Sequence, residues 1–337
     1  MKNIPETVVV VGATRGIGLG FVEKYLALDC KVIATYRATS NLLNLRKQQE
    51  RYGDKLILLP LDLADTTQID AFTKKVHESE EKIDLLILNA GTTGNNDVLK
   101  LEPKPLDPAT FWPELELSRK VHEDGPLRLI LGLEDKLQNE NACIVYLTTP
   151  HGLGSKTVGI DAHAMSKAGG QSMIYSRCKA MVKKWADACK EPEQLAQAPG
   201  AFAIYPGWVK TDMGGSNARL TVADSVDSMV KVIDTVISTK KFAAVYSYNG
   251  SAMNPNAYAP SEELIKVIAS AEKAALKIET PDESAEEVRS QNQQMSNAIL
   301  PTLSIFAQKE SDVRTSPHVG NSIPNASNSS SGVIHNP

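Results

Sequence analysis

The stretch Val8 to Gly20, VVVVGATRGIGLG, holds the residues whose chemistry is easiest to name. Four consecutive valines read as a strand buried on both faces. Gly12, Gly16 and Gly18 follow, with Thr14, Arg15 and Ile17 among them, and the apolar period beyond predicts a helix over Leu19 to Leu28. A strand, a glycine turn and a helix start form a phosphate-binding arrangement, because the helix N-terminus offers unpaired N–H groups at the positive end of its dipole. Glycine lets the backbone turn tightly and approach a pyrophosphate. The spacing is Gly-x-x-x-Gly-x-Gly rather than Gly-x-Gly-x-x-Gly. Alone it also fits a strand–helix turn that merely uses glycine.

Other residues can serve the same ligand. Arg15 lies inside the glycine loop, and Arg37 follows a second strand, Lys31 to Tyr36, where an NAD protein would carry an acid for the ribose 2′-hydroxyl. Two guanidinium forks suit a 2′-phosphate, which favours NADP(H) over NAD; the alternative is two surface arginines. Asp62 and Leu63 follow a third strand, Lys55 to Leu61, in position to meet an adenine. Asn89, Ala90 and Gly91 follow a fourth, Ile83 to Leu88, where the glycine permits close backbone approach.

These strands alternate with helical patterns over Leu42 to Tyr52 and Thr67 to Ser79. That order predicts an α/β, Rossmann-like, doubly wound parallel sheet in three layers, with ligands beyond the carboxyl ends of its strands. A formal net charge of −4, the lack of a basic tract and an aromatic content of 5% argue against nucleic-acid binding. No apolar run is long enough for a membrane span. Cys30, Cys143, Cys178 and Cys189 are scattered without metal-ligand spacing, so no metal site is expected and the cysteines read as reduced core thiols of a cytoplasmic protein. Met1-Lys2-Asn3 leads straight into a strand and leaves no room for a signal peptide.

Gly12-x-x-x-Gly16-Ile17-Gly18, Asp62 and Asn89-Ala90-Gly91 together resemble the short-chain dehydrogenase/reductase family. The likeness continues through Ile144 to Thr149 with Gly152, Ser166-Lys167-Ala168, and Tyr205-Pro206-Gly207-Trp208-Val209-Lys210-Thr211-Asp212-Met213. The last run resembles C-factor-like and carbonyl-reductase-like members. The resemblance covers roughly residues 5 to 255 and implies an oxidoreductase acting on a small carbonyl or alcohol. Pro206, Gly207 and Val209 would cradle the nicotinamide and Thr211 its carboxamide or a phosphate, unless Thr211 only caps the turn after it.

The family's reaction uses an Asn, a Ser, a Tyr and a Lys, the last two one helical turn apart. Of these the chain keeps Lys167. His163 stands at the tyrosine position, Thr149 at the serine position and His122, in Val121-His122-Glu123-Asp124-Gly125-Pro126, at the asparagine position. A threonine keeps the hydroxyl that stabilises developing charge. The histidine change goes deeper. A nearby ammonium moves a phenol toward neutrality but moves an imidazole below it. His163 would then be neutral at pH 7, a base for alcohol oxidation and a poor acid for carbonyl reduction. Against this stands a reading in which His163 only fills space and the protein is a pseudoenzyme, an NADP(H)-binding sensor or interaction module. Tyr175-x-x-x-Lys179 repeats the spacing, but twelve residues beyond His163 it lies about 18 Å further along the helix.

Ala201 to Tyr205 and Phe242 to Asn249 complete the expected strands. The Gly/Ser/Asn-rich stretch from Met213 to Thr221 reads as a mobile loop over the substrate site. The helix from His163 through Trp185 reads as core and subunit interface, and the resemblance implies a homodimer or homotetramer built on it. The expected organisation is a Rossmann-like domain over residues 1–258, a helical extension over 259–308 and a disordered tail over 309–337.

Overall fold

The four valines form the centre of a parallel sheet. In the computed structural model, which describes residues 4–80, 82–93, 107–153, 161–189 and 192–253, β1 (Thr7–Val11) is buried along its whole length. It is flanked by β2 (Lys31–Tyr36) and β4 (Leu85–Leu88), with Val8 opposite Val32 on one side and Leu85 on the other. β3 (Leu56–Pro60), β5 (Cys143–Leu147), β6 (Gly200–Tyr205) and β7 (Val245–Ser247) complete a seven-stranded sheet in the order β3-β2-β1-β4-β5-β6-β7. The pairings between these strands are parallel. Runs such as VVVV and IVYL are apolar on both faces because helices cover both faces of the sheet.

α1 (Gly16–Ala27), α2 (Leu43–Tyr52) and α8 (Val222–Thr239) pack together, and so do α3 (Thr66–Ser79) with α5 (Gly125–Gly132) and α4 (Pro108–Arg119) with α6 (Asp161–Ala188). α7 (Pro192–Leu195) is a single turn before β6. Side chains start three of the helices: Asp65 accepts from Thr67 and Gln68 N–H, Asp107 from Ala109 N–H, and Thr221 from Asp224 N–H. The order reverses between β1 and β4, where open α/β sheets bind ligands.

The expected elements are present with shifted ends. α1 begins at Gly16, three residues before the apolar period, because its first turn consists of the loop's own glycines. β5 stops at Leu147, two residues short of Thr149, and β7 covers only Val245–Ser247 of the expected Phe242 to Asn249. The stretch from Met213 to Thr221, expected to be a mobile loop, is tied back to the segment before it. Val209 and Leu220 form a bridge, Lys210 N–H donates to Leu220 O at 2.8 Å and Leu220 N–H to Trp208 O at 3.0 Å. The Trp208 indole also donates to Gly214 O, and Ala218 is buried. Backbone pairing to the preceding segment holds it. Cys30, Cys143 and Cys178 are buried free thiols, and Cys189 is half-buried. Among the described residues no helix is long and apolar enough to cross a membrane. The extension and tail expected after residue 258 lie outside the described residues.

Candidate functional site

The glycine loop sits at the switch point and is built by contacts that leave no room for side chains. Gly12 has φ +77° and its added Cβ would lie 2.9 Å from Ala90. A Cβ on Gly18 would lie 2.1 Å from the Gly12 carbonyl oxygen and 2.5 Å from Asn89 Nδ2. Asn89 explains that crowding: its amide donates to Gly12 O at 2.8 Å and Val11 O at 3.2 Å, tying the end of β4 to the loop. Thr35 of β2 braces the other side, its hydroxyl accepting from Gly12 N–H at 3.0 Å and its carbonyl from Ala13 N–H. No side chain caps the start of α1. Thr14 is half-buried in the loop, and Ile17 packs against the core.

The remaining cradle residues surround this loop. Arg37 is exposed just past β2. Arg15 is also exposed and reaches Asp212 at 2.6 Å, so a phosphate at Arg15 would exchange with that carboxylate. Asp62 turns back to accept from Ala64 N–H at 2.9 Å, while Leu63 is buried in the core, leaving its backbone for any contact with a base. Gly207 (φ +82°) turns the chain after Pro206, whose carbonyl accepts from Ser225. Val209 is buried, and Thr211 puts its methyl 3.2 Å from an added Cβ on Gly16. The Thr211 hydroxyl accepts from Gly214 N–H at 3.0 Å, so it does cap the following turn.

Gly91 links the cradle to a cluster of histidines. A Cβ there would meet His122 Nε2 at 3.4 Å and Lys167 Nζ at 3.9 Å. His122 arrives on a π-helical turn, Lys120–Asp124, between α4 and α5. Pro126 helps set it: an α-helix would have residue 126 donate to the carbonyl of residue 122, and proline has no N–H. The Tyr146 hydroxyl donates to that carbonyl instead, at 3.1 Å. Gly170 makes room for the phenol, since its Cβ would lie 2.1 Å from the Tyr146 oxygen.

His163 and Lys167 are one turn apart on α6, as their spacing requires, and both are buried. Lys167 donates to Leu147 O at 2.8 Å and its ammonium lies 4.7 Å from the centre of the Tyr146 ring. Burial lowers its pKa to about 7. His163 Nδ1 donates to Thr92 O at 2.9 Å. Burial, then the Lys167 charge, lowers its pKa to about 4, although the bond to Thr92 acts the other way. His122 is also held well below the usual imidazole range, first by burial and then by Lys167 and His163. The two rings are perpendicular, 5.2 Å between centres. Both imidazoles are therefore neutral at pH 7.

Thr149 is half-buried where β5 enters a short 3-10 turn, Pro150–Leu153, and its hydroxyl is 3.4 Å from His151 N–H. Three partners escaped sequence reasoning. Thr92 acts only through its backbone, which no residue type signals. Ser166 was legible as part of Ser-Lys-Ala, but its bond to His122 Nδ1 at 2.8 Å spans 44 positions. His151 lowers the His163 pKa through its charge and belongs to the same surroundings. Tyr175, the repeated spacing, packs against the core, with Lys179 Nζ 5.7 Å from the centre of its ring.

Residues 6–108 match the family model described as short chain dehydrogenase. A fatty acyl-CoA reductase of Acinetobacter baylyi is 25% identical over 174 residues, 51% of this chain and 56% of that protein, so the chain spans just over half the length of that relative. Two solved structures share the fold. One, from Burkholderia multivorans, is described as a putative short-chain dehydrogenase/reductase with bound NADP; it is 24% identical, with a TM-score of 0.59 over 74% of this chain and 98% of that one. The other is the carbonyl reductase Sniffer of D. melanogaster, 21% identical, with a TM-score of 0.61 over the same shares.

Proposed function

We propose that this chain is a short-chain dehydrogenase/reductase that binds NADP(H) and acts on an alcohol/carbonyl pair, with His163 taking the place of the family's tyrosine. The observation that carries the reading is the continuity of Asn89, Gly91, His122 and Lys167: the residue that ties down the glycine loop lies two positions from the glycine against which the buried ammonium and imidazole close. The cradle fits the cofactor. Its glycines leave backbone where a Cβ would collide, its helix start is uncapped, and Arg15 and Arg37 supply guanidinium groups for a 2′-phosphate. The NADP bound to the Burkholderia relative supports the same choice.

When bound, NADP supplies the hydride acceptor of an alcohol oxidation. The chain's own residues would hold the ribose at Lys167, steady the substrate oxygen at Thr149 and take the hydroxyl proton at His163. A neutral imidazole can accept that proton. It has none to spare for a carbonyl at pH 7, so oxidation is the favoured direction. The test is turnover in both directions. The expected result is NADP reduction with a panel of alcohols, rising with pH through about 4 as His163 loses its proton, and little NADPH oxidation with carbonyls at pH 7; no turnover either way overturns the enzymatic reading.

A second reading rests on the same hydrogen bonds. His122 and His163 both grip Thr92, as side chains retained for structure would. On that reading the protein binds NADP(H) without turning it over. His163→Tyr separates the two: gained carbonyl reduction marks an otherwise competent site, whereas NADPH binding without gained activity marks a non-catalytic binding protein.

A further inference from the structure

Thr92 is held at both ends of its backbone by the two histidines. Its N–H donates to His122 Nε2 at 3.1 Å, and its carbonyl accepts from His163 Nδ1 at 2.9 Å. These partners fix where the protons are. A backbone N–H can only donate, so His122 Nε2 is bare; in a neutral ring the proton is then on Nδ1 and donates to the Ser166 oxygen at 2.8 Å. Ser166 passes its own proton to Ala162 O at 2.8 Å or His163 O at 3.1 Å, so the hydroxyl has both roles filled. A carbonyl can only accept, so His163 carries its proton on Nδ1 and its lone pair on Nε2. The chain of bonds runs Ser166, His122, Thr92, His163 through groups that are buried except at Thr92, which is half-buried.

We propose that His122 is a positioning residue: acting through the Thr92 peptide, it locks His163 in the Nδ1–H form and leaves Nε2 as the basic nitrogen. The lock depends on residue shape. A glutamine at position 122 puts its terminal oxygen near where Nε2 lies and can still accept from Thr92. An asparagine reaches only the Nδ1 position, keeps Ser166 and loses Thr92. Released from the lock, the Thr92 peptide can turn and His163 can move its proton to Nε2, which removes the base. The inference deepens the oxidative reading above and depends on it for its consequence in catalysis, but the proton positions can be read without activity.

The experiment uses the full chain labelled with 15N in histidine. Long-range 1H–15N spectra at pH 7 distinguish the two neutral ring forms, and single substitutions assign the signals. The expected result is Nδ1–H for both His122 and His163, Nδ1–H retained at His163 in His122→Gln, and a shift toward Nε2–H in His122→Asn. Alcohol oxidation should fall about tenfold or more in His122→Asn and recover largely in His122→Gln. Nε2–H at His163 in the unmodified protein overturns the proposal, as does an unchanged His163 signal in His122→Asn. The unmodified protein suffices for the first of these outcomes if a variant fails to fold. NADPH fluorescence on the same samples tests the cofactor reading separately: absent binding with both rings in the Nδ1–H form defeats that reading and leaves the lock standing.

Discussion

The two ends of the site are built differently. The cradle is made of backbone: Gly12, Gly16 and Gly18 matter for the side chains they lack, and Asn89 and Thr35 matter because they tie carbonyl and amide groups in place. The other end is made of side chains, His122, His163 and Lys167, buried together against Tyr146 and Thr92. Steric exclusion leaves the backbone cradle little freedom to change. A side-chain cluster can be rebuilt if each new polar atom finds a partner, and here two imidazoles share one peptide. On the function proposed above, that contrast lets a backbone cradle for a nucleotide adjoin a reaction site whose side chains differ.

The contrast is most open to attack at Gly18. Valine there has no space beside the Gly12 carbonyl, so Gly18→Val should lower stability by more than about 3 kcal/mol or prevent folding, and abolish NADPH binding; denaturant unfolding with and without NADPH measures both. A tolerated valine would break the claim that the cradle is sterically fixed.

Acid should act at the other end. Below pH 6.5 the unfolded chain protonates its histidines while His163, with a pKa of about 4, stays neutral. Stability is therefore complete above about pH 6.5 and is lost as pH falls toward 4, by on the order of 3 kcal/mol for this residue, with His122 acting in the same direction. His163→Gln should flatten much of that slope in unfolding curves measured across the window.

Lys167→Met sharpens the comparison, because it removes an ammonium without opening a large cavity. NADPH affinity should weaken about tenfold while the fold survives. The His163 pKa should rise from about 4 yet stay under the usual imidazole range, since burial is the larger cause; histidine NMR titration reads this directly. The smallest effect belongs to Arg15→Gln, which removes one exposed cation already shared with Asp212. It should reduce the preference for NADPH over NADH only a few-fold, by about 1 kcal/mol, in paired binding titrations.

Much of the scaffold was legible because its signals are local. Strand identity follows from runs such as Val8 to Val11, and the alternation with helices prescribes the sheet. The Lys167 position was legible by its context and the His163 position by helical spacing. The composition of the stretch from Met213 to Thr221 is that of a loose loop and gave no sign of its backbone pairing with residues 208–211. The π-helical turn at Lys120–Asp124 was hidden too, although Pro126 now explains which carbonyl it frees.

The amino-acid sequence by itself determined the parallel sheet, the glycine turn after its central strand and the one-turn spacing of His163 and Lys167, because apolar runs, missing side chains and residue identities are properties of short segments. Only the tertiary structure decided which groups each imidazole faces and that burial lowers their basicity. Those depend on partners up to 71 positions apart in the chain, and on the exclusion of water where strand ends and helices converge.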